Sequence, residues 1–243
     1  MTQIRRALFI SRKDIESYYS KPPLVTWGLL FPAVLILAVY LKDPATYLAV
    51  APGIIGMTLL FGNTSMAAIV VTFEKRSGTM QRLLLTPVTH RTIVLGKAAS
   101  AALYGIATSL ILTLAIVFLL GMRFVSPLVF AAALILGAAT FSLIGIIASV
   151  LVREVFEAMT LMNFFRFPIL FVSGVFVPVA SLPAWLKPLA FLSPLTHVVE
   201  LIRFSLTGTC YFPSPWIPAL VICAFLVASS LIADAAFRRA ATR

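Results

Sequence analysis

The sequence predicts an all-α membrane protein with six transmembrane helices, an N-terminal amphipathic interfacial helix, and short broken helices on the outer side between spans five and six. Three observations carry this prediction. Of 243 residues, 61% are hydrophobic and only 11% charged, whereas a soluble domain carries about 25% charge. Mean hydropathy is +1.05. The apolar residues fall in long runs separated by short charged clusters. A span uses about 20 residues, so the chain accommodates six as a single transmembrane domain over residues 1–243. This balance excludes a soluble enzyme and a disordered chain. The net charge of +11 is needed to orient the spans, which argues against a nucleic-acid partner.

The runs place the spans at residues 24–41, 46–73, 93–120, 125–152, 161–177 and 216–237. Residues 1–20 come first. There Ile4, Leu8, Ile15, Tyr18 and Tyr19 follow helical spacing, while Arg5, Arg6, Arg12 and Lys13 lie largely elsewhere on the wheel. Such a helix lies among lipid headgroups; the alternative is a basic tail that only enforces orientation. The first apolar run follows Pro22-Pro23, later than in a cleavable signal, so this span is expected to stay in the mature protein. Spans two, three and four exceed the crossing length and should tilt or project. Pro32, Pro52 and Pro168 fall within spans, where they kink helices or mark first turns. Gly53, Gly56 and Gly62 on span two permit close helix contact. Residues 178–215, the outer segment, are cut by Pro183, Pro188 and Pro194 into pieces too short to cross, with Trp185 at the interface.

Charge sets the orientation. With the N-terminus cytoplasmic, only Lys42, Arg123, Lys187 and Arg203 lie outside, and the other 15 of the 19 Lys and Arg, Lys97 and Arg166 among them, lie on the inner side or at inner span ends. Both termini are then cytoplasmic. The carboxylates follow the same pattern: Asp14, Glu16, Glu74, Glu154, Glu157 and Asp234 lie inside or at inner ends, and Asp43 and Glu200 outside. No mid-membrane carboxylate is expected, which disfavours an ion-coupled pump. Glu200 and Arg203, three apart, suit a structural pair.

Catalytic patterns are poor. Gly96-Lys97 is followed by Ala98 and preceded by Arg91 where a phosphate-binding loop needs glycine, so any ATP use must come from another polypeptide. Ser173-Gly174 with His197 offers a nucleophile and a base for an intramembrane serine protease, but Phe171 stands where glycine is required and His197 lies in the outer segment. His90 and His197 map to opposite faces, which rules out bis-histidine haem ligation. Cys210 and Cys223 give no metal or redox pattern, and no metal site or resident cofactor is expected in this chain.

The connection after span two, residues 74–92, carries more information. Glu74, Lys75 and Arg76 end the long helix. Ser77 or Thr79 can cap a new short helix, with Gly78 turning the chain. Met80, Leu83 and Leu84 give it an apolar face, Gln81 and Arg82 face elsewhere, and Pro87 stops it. This amphipathic helix either docks in a partner's groove or lies against headgroups.

The run E-K-R-S-G-T-M-Q-R-L-L-L-T-P at 74–87, followed by Arg91 and Lys97, resembles the permease subunits of ABC-2-type ATP-binding-cassette exporters, the drug and efflux branch above all. A second block, F-P-I-L-F-V-S-G-V-F-V-P at 167–178, leads into L-P-A-W-L-K-P-L-A at 182–190 and S-P-L-T-H-V-V-E-L-I-R at 193–203. His197 departs from the aromatic residue common there. The resemblance implies a transmembrane dimer, a homodimer in the simplest case, bound to two cytoplasmic ATPase subunits that hold ATP and Mg²⁺. It makes Glu74, Lys75, Arg76, Gly78, Thr79, Leu83, Leu84 and Pro87 the coupling contact, with Arg153, Glu154 and Glu157 a second one. Spans two and five then supply Gly62, Asn63 and Phe165 to the pathway. The outer lid holds Pro183, Trp185, Pro194, His197, Glu200 and Arg203. The cargo implied is an amphipathic small molecule or lipid-linked compound, and the site the cytoplasmic membrane. The competing reading is a membrane scaffold that recruits a partner through the same loop.

Overall fold

A computed structural model describes residues 3–19, 22–43 and 47–241. Among these the chain is helical, without strands. Helix α1 (Gln3–Asp14) runs on through wider π-type turns at Ile15–Tyr19, and α2 (Pro22–Lys42), α3 (Tyr47–Arg76) and the short α4 (Thr79–Leu84) follow. Then come α5 (His90–Leu120), α6 (Pro127–Leu151) and α7 (Val155–Val172). A 3-10 turn at Val179–Ser181, α8 (Lys187–Phe191), α9 (Pro194–Thr207) and α10 (Trp216–Ala241) complete the order.

Five helices are long and apolar enough to cross a membrane: α3, α5, α6, α7 and α10. The first predicted span coincides with α2, whose described side chains, from Leu30 on, form a shorter apolar stretch. The other predicted runs are recovered within a few residues, with one consequential exception. Span five was expected at 161–177, and α7 instead begins at Val155. Glu154 and Glu157, which read as loop, form a capping box: the Glu154 carboxylate accepts from the Glu157 N–H, and the Glu157 carboxylate accepts from the Arg153 and Glu154 N–H groups. The helix then stops at Ser173-Gly174, where Gly174 has φ +77°, a region only glycine enters cheaply.

α3 is the central helix, with Ile54, Ile55 and Leu59 wholly buried. Such a helix, surrounded by others, needs small residues where backbones approach. A Cβ on Gly53 would fall 2.3 Å from the Val175 carbonyl oxygen, and one on Gly56 2.7 Å from a Val199 methyl. The outer segment folds into short helices and supplies part of this packing. Pro194 starts α9 at its first turn rather than breaking it, because the missing N–H is one no helix uses there. The resulting helix buries Leu195, Val198, Val199 and Ile202 in the core shared with α3 and α6.

Candidate functional site

At the end of the bundle that carries α4, α3 finishes on Glu74, Lys75 and Arg76, and each side chain secures a different element. Glu74 is wholly buried and ion-paired with Lys13 of α1 and Lys97 of α5. Lys97 also holds Asp14 of α1 at 3.0 Å, and Ser100 donates to the same carboxylate at 3.4 Å. Two lysines and two carboxylates thus neutralise one another inside the protein, which such burial requires. Burial opposes the Lys13 charge, but its bonds to Asp14 and Glu74 outweigh it and raise the ammonium to about 12. Lys75 donates to the Ser149 and Val152 carbonyls at 2.8 and 3.1 Å. It thereby caps the negative end of α6. Arg76 pairs with Glu154 at the start of α7. The two loops expected to form separate contacts are therefore joined, with Glu157 alongside capping α7 and Arg153 exposed between them, its backbone N–H bonded to Glu157.

α4 stands on this base. Gly78 precedes it with φ +74°. The expected side-chain cap is absent: the Ser77 and Thr79 hydroxyls bond each other at 3.0 Å instead, because the left-handed glycine points the chain away from a capping geometry. The orientation of the face also differs from expectation. Met80 is buried, and Leu83 packs against the same cluster as Ile10, Val70 and Ile93. The apolar face therefore seats α4 on its own chain. Gln81, Arg82, Leu85, Thr86 and Pro87 form the exposed side, Leu85 at 87%. Leu84 belongs to the helix, but its side chain lies outside the described residues. The Pro87 carbonyl accepts from Arg6, so α1 grips both ends of the connection.

At the opposite end, Glu200 and Arg203 of α9 pair at 3.1 Å. Arg203 also donates to the carbonyls of Ala49 (3.1 Å) and Gly174 (2.9 Å), and Glu200 accepts from Tyr211 N–H at 2.7 Å. This pair stitches α3, the α7 exit and the segment before α10 to one helix. His197 is buried, bonded through Nε2 to the Phe191 carbonyl at 2.9 Å and stacked on Phe212. Ser173 is bonded to Ser193 at 2.7 Å. The two residues of the protease reading thus have other partners. Trp185 is exposed, and Pro183 lies in the turn before it.

Of the residues assigned to the pathway, Asn63 is wholly buried, bonded to the Leu59 carbonyl at 2.6 Å and accepting from Ser142 Oγ at 3.1 Å. Gly62 packs against Gly105 and Thr108 of α5. Both join α3 to its neighbours. Phe165 is exposed and lines an apolar cavity of about 280 Å³ with Phe164, Pro168, Ile169, Leu189 and Leu192. By its place in the apolar run, Arg166 reads as an end charge. It lies in the interior of α7 and is buried. The signal was its place four residues after Met162 and four before Leu170 on one helical stripe.

A bundle of long apolar helices around a packed central helix, with most of its charges gathered toward the two ends, defines a multi-pass membrane protein. The ABC-2 type transporter family model matches residues 6–207, and the chain belongs to that family. It is 24% identical over 155 residues to YbhR of Escherichia coli (strain K12), named a probable multidrug ABC transporter permease; the match covers 63% of this chain and 42% of that one. It is 23% identical over 162 residues to the inner membrane transport permease YadH of the same strain, covering 65% and 62%. It is 30% identical over 173 residues to the transport permease ycf38 of Cyanophora paradoxa, covering 68% and 56%. The chain thus matches about half the length of these relatives. Family membership makes it a transmembrane transporter component.

Proposed function

We propose that the chain is the permease subunit of an ATP-driven exporter in the cytoplasmic membrane. It moves an amphipathic small molecule or lipid-linked compound outward. α2 supplies the sixth crossing, and both termini are cytoplasmic. Two permease copies form the pathway, and two separate ATPase subunits bind ATP and Mg²⁺. The connection at residues 74–92 is the coupling element.

One observation carries this reading. Glu74 and Lys75 tie the base of α4 to α1, α5 and α6 through buried or part-buried charges, and the exposed Arg76–Glu154 pair ties it to the start of α7. A push on α4 is thereby delivered to four helices at once, as a rigid two-state element requires. A surface loop that only recruits a partner gains nothing from such anchoring.

The test is reconstitution of the permease with its co-purifying ATPase in vesicles. ATP-dependent movement of an amphipathic dye, with ATPase activity stimulated by that dye, is the expected result. Stable recruitment of the ATPase without turnover or movement would establish the scaffold reading instead.

A further inference from the structure

α7 buries Ala158, Met162, Arg166 and Leu170 on one stripe, which packs against α3. Three of these are apolar, and the fourth is an arginine only 4% exposed. Its guanidinium rests on the Phe61 ring of α3, 4.8 Å from the centroid, and Phe61 meets Phe167 edge-on at 6.2 Å. One nitrogen donates to Asn163 Oδ1 at 3.3 Å. Nε and Nη2 are buried without a partner among the described residues. These two nitrogens form one edge of the guanidinium fork, the edge that grips a carboxylate or phosphate with two parallel bonds. A complete bidentate donor is thus held inside a membrane helix and left unused.

Among the described residues no carboxylate stands near it. All eight acidic residues are accounted for elsewhere in the fold. Asp14 and Glu74 serve the lysine cluster, Glu16 pairs with Arg12, Glu154 with Arg76, Glu200 with Arg203, and Asp234 with Arg91 and Arg238. Glu157 caps α7, and Asp43 follows the end of α2. A second copy related by an axis along the membrane normal keeps each group at its own depth, so it brings no acid to Arg166 either. An ionisable group kept inside a membrane helix at such cost points to a charge that arrives from elsewhere.

We propose that Arg166 receives the anionic group, a carboxylate or phosphate, of an amphipathic cargo when the α3–α7 seam opens. Phe61 is where the guanidinium rests between loads. This inference rests on the transport reading above and adds the charge of the cargo to it.

The experiment compares a pyrene-labelled dodecanoic acid with its methyl ester, in phosphatidylcholine vesicles holding the permease and its ATPase. The wild type is expected to move the acid in preference to the ester. Arg166→Met should reduce the acid-to-ester ratio by about tenfold, the loss of one charged bidentate contact, and Arg166→Lys by less. Thermal unfolding supplies a second readout. Replacing an uncompensated buried cation with an apolar side chain should leave the melting temperature unchanged or raise it. A lowered melting temperature with an unaltered ratio would make Arg166 a structural cation–π contact and overturn the proposal. A wild type that moves the ester but not the acid also overturns it, while transport itself stands. Movement of neither probe, with ATP still hydrolysed, removes the transport reading and the proposal with it. A parallel series with phosphatidylglycerol separates the sources of the anion. If this lipid abolishes the acid's preference in the wild type, a headgroup phosphate occupies Arg166 and the assignment to cargo fails; an unchanged preference supports it.

Discussion

Lys97 on α5 holds the Asp14 carboxylate of α1 at 3.0 Å, and both side chains are shut away from solvent. The pair fixes the N-terminal helix to the transmembrane bundle at the level where α3 ends. A buried carboxylate or ammonium is costly once its opposite is removed. Lys97→Met leaves Asp14 and Glu74 with Lys13 alone, so it should cost about 3–5 kcal/mol, as breaking a buried pair does. The measurement is thermal unfolding of the purified protein in detergent. Adding Asp14→Leu to Lys97→Met should recover part of the loss, since the orphaned acid is then gone. Lys13 adds a pH dependence with a definite sign. Its pKa is raised from 10.5 to about 12, so its contribution is fully present below about 10.5 and is lost as pH rises through about 12.

The exposed side of α4 should make the ATPase contact. Leu85→Asp alters a side chain that touches little of its own chain, so stability should move by less than about 0.5 kcal/mol. Co-purification of the ATPase should fall by about tenfold or more, because a charge replaces an apolar anchor. Met80→Ala is the contrasting variant. It excavates a buried position and should cost about 2–5 kcal/mol in stability. Unchanged ATPase recovery with Leu85→Asp would place the contact elsewhere.

The apolar runs made most of the fold legible, because burial in lipid demands uninterrupted stretches that no other requirement imitates. The errors share one physical origin. Spacing shows that Met80 and Leu83 fall on the same face, but not what that face meets, and here it meets the chain itself. Glu154 and Glu157 read as loop because a capping carboxylate and a loop carboxylate look identical in sequence. That misreading started span five six residues late and moved Arg166 to a span end. Its burial became visible only once α7 began at Val155. The ionic cluster of Lys13, Asp14, Glu74 and Lys97 joins residues up to 83 positions apart, and no local pattern announces it.

The orientation is tested by labelling. In a background with Cys210→Ser and Cys223→Ser, a cysteine placed at the exposed Thr209 should react with an impermeant maleimide added to intact cells. One at the exposed Ser77 should react only after the membrane is opened. The imbalance of basic residues governs insertion, and the two positions lie at opposite ends of the bundle. Labelling of Ser77 from outside would invert the topology and remove α4 from the ATPase side.

The contact of Asn63 with Gly105 yields the last prediction. A Cβ on Gly105 would stand 2.1 Å from Asn63 Nδ2, so α3 and α5 touch here only because one partner has no side chain. Gly105→Ala must therefore displace the Asn63 amide, which also holds Ser142 of α6 at 3.1 Å. Overpacking of this kind costs about 1–3 kcal/mol. Asn63→Ala alone should cost about 1–3 kcal/mol as well, because it leaves the buried Ser142 hydroxyl without that partner. The double variant should lose less than the sum, with a coupling of about 0.5–3 kcal/mol, since the smaller residue makes room for the new methyl group. Thermal unfolding of the four proteins closes the cycle. Additive losses would mean that the two helices separate rather than repack at this point, and the close approach of α3 and α5 would then depend on neither residue.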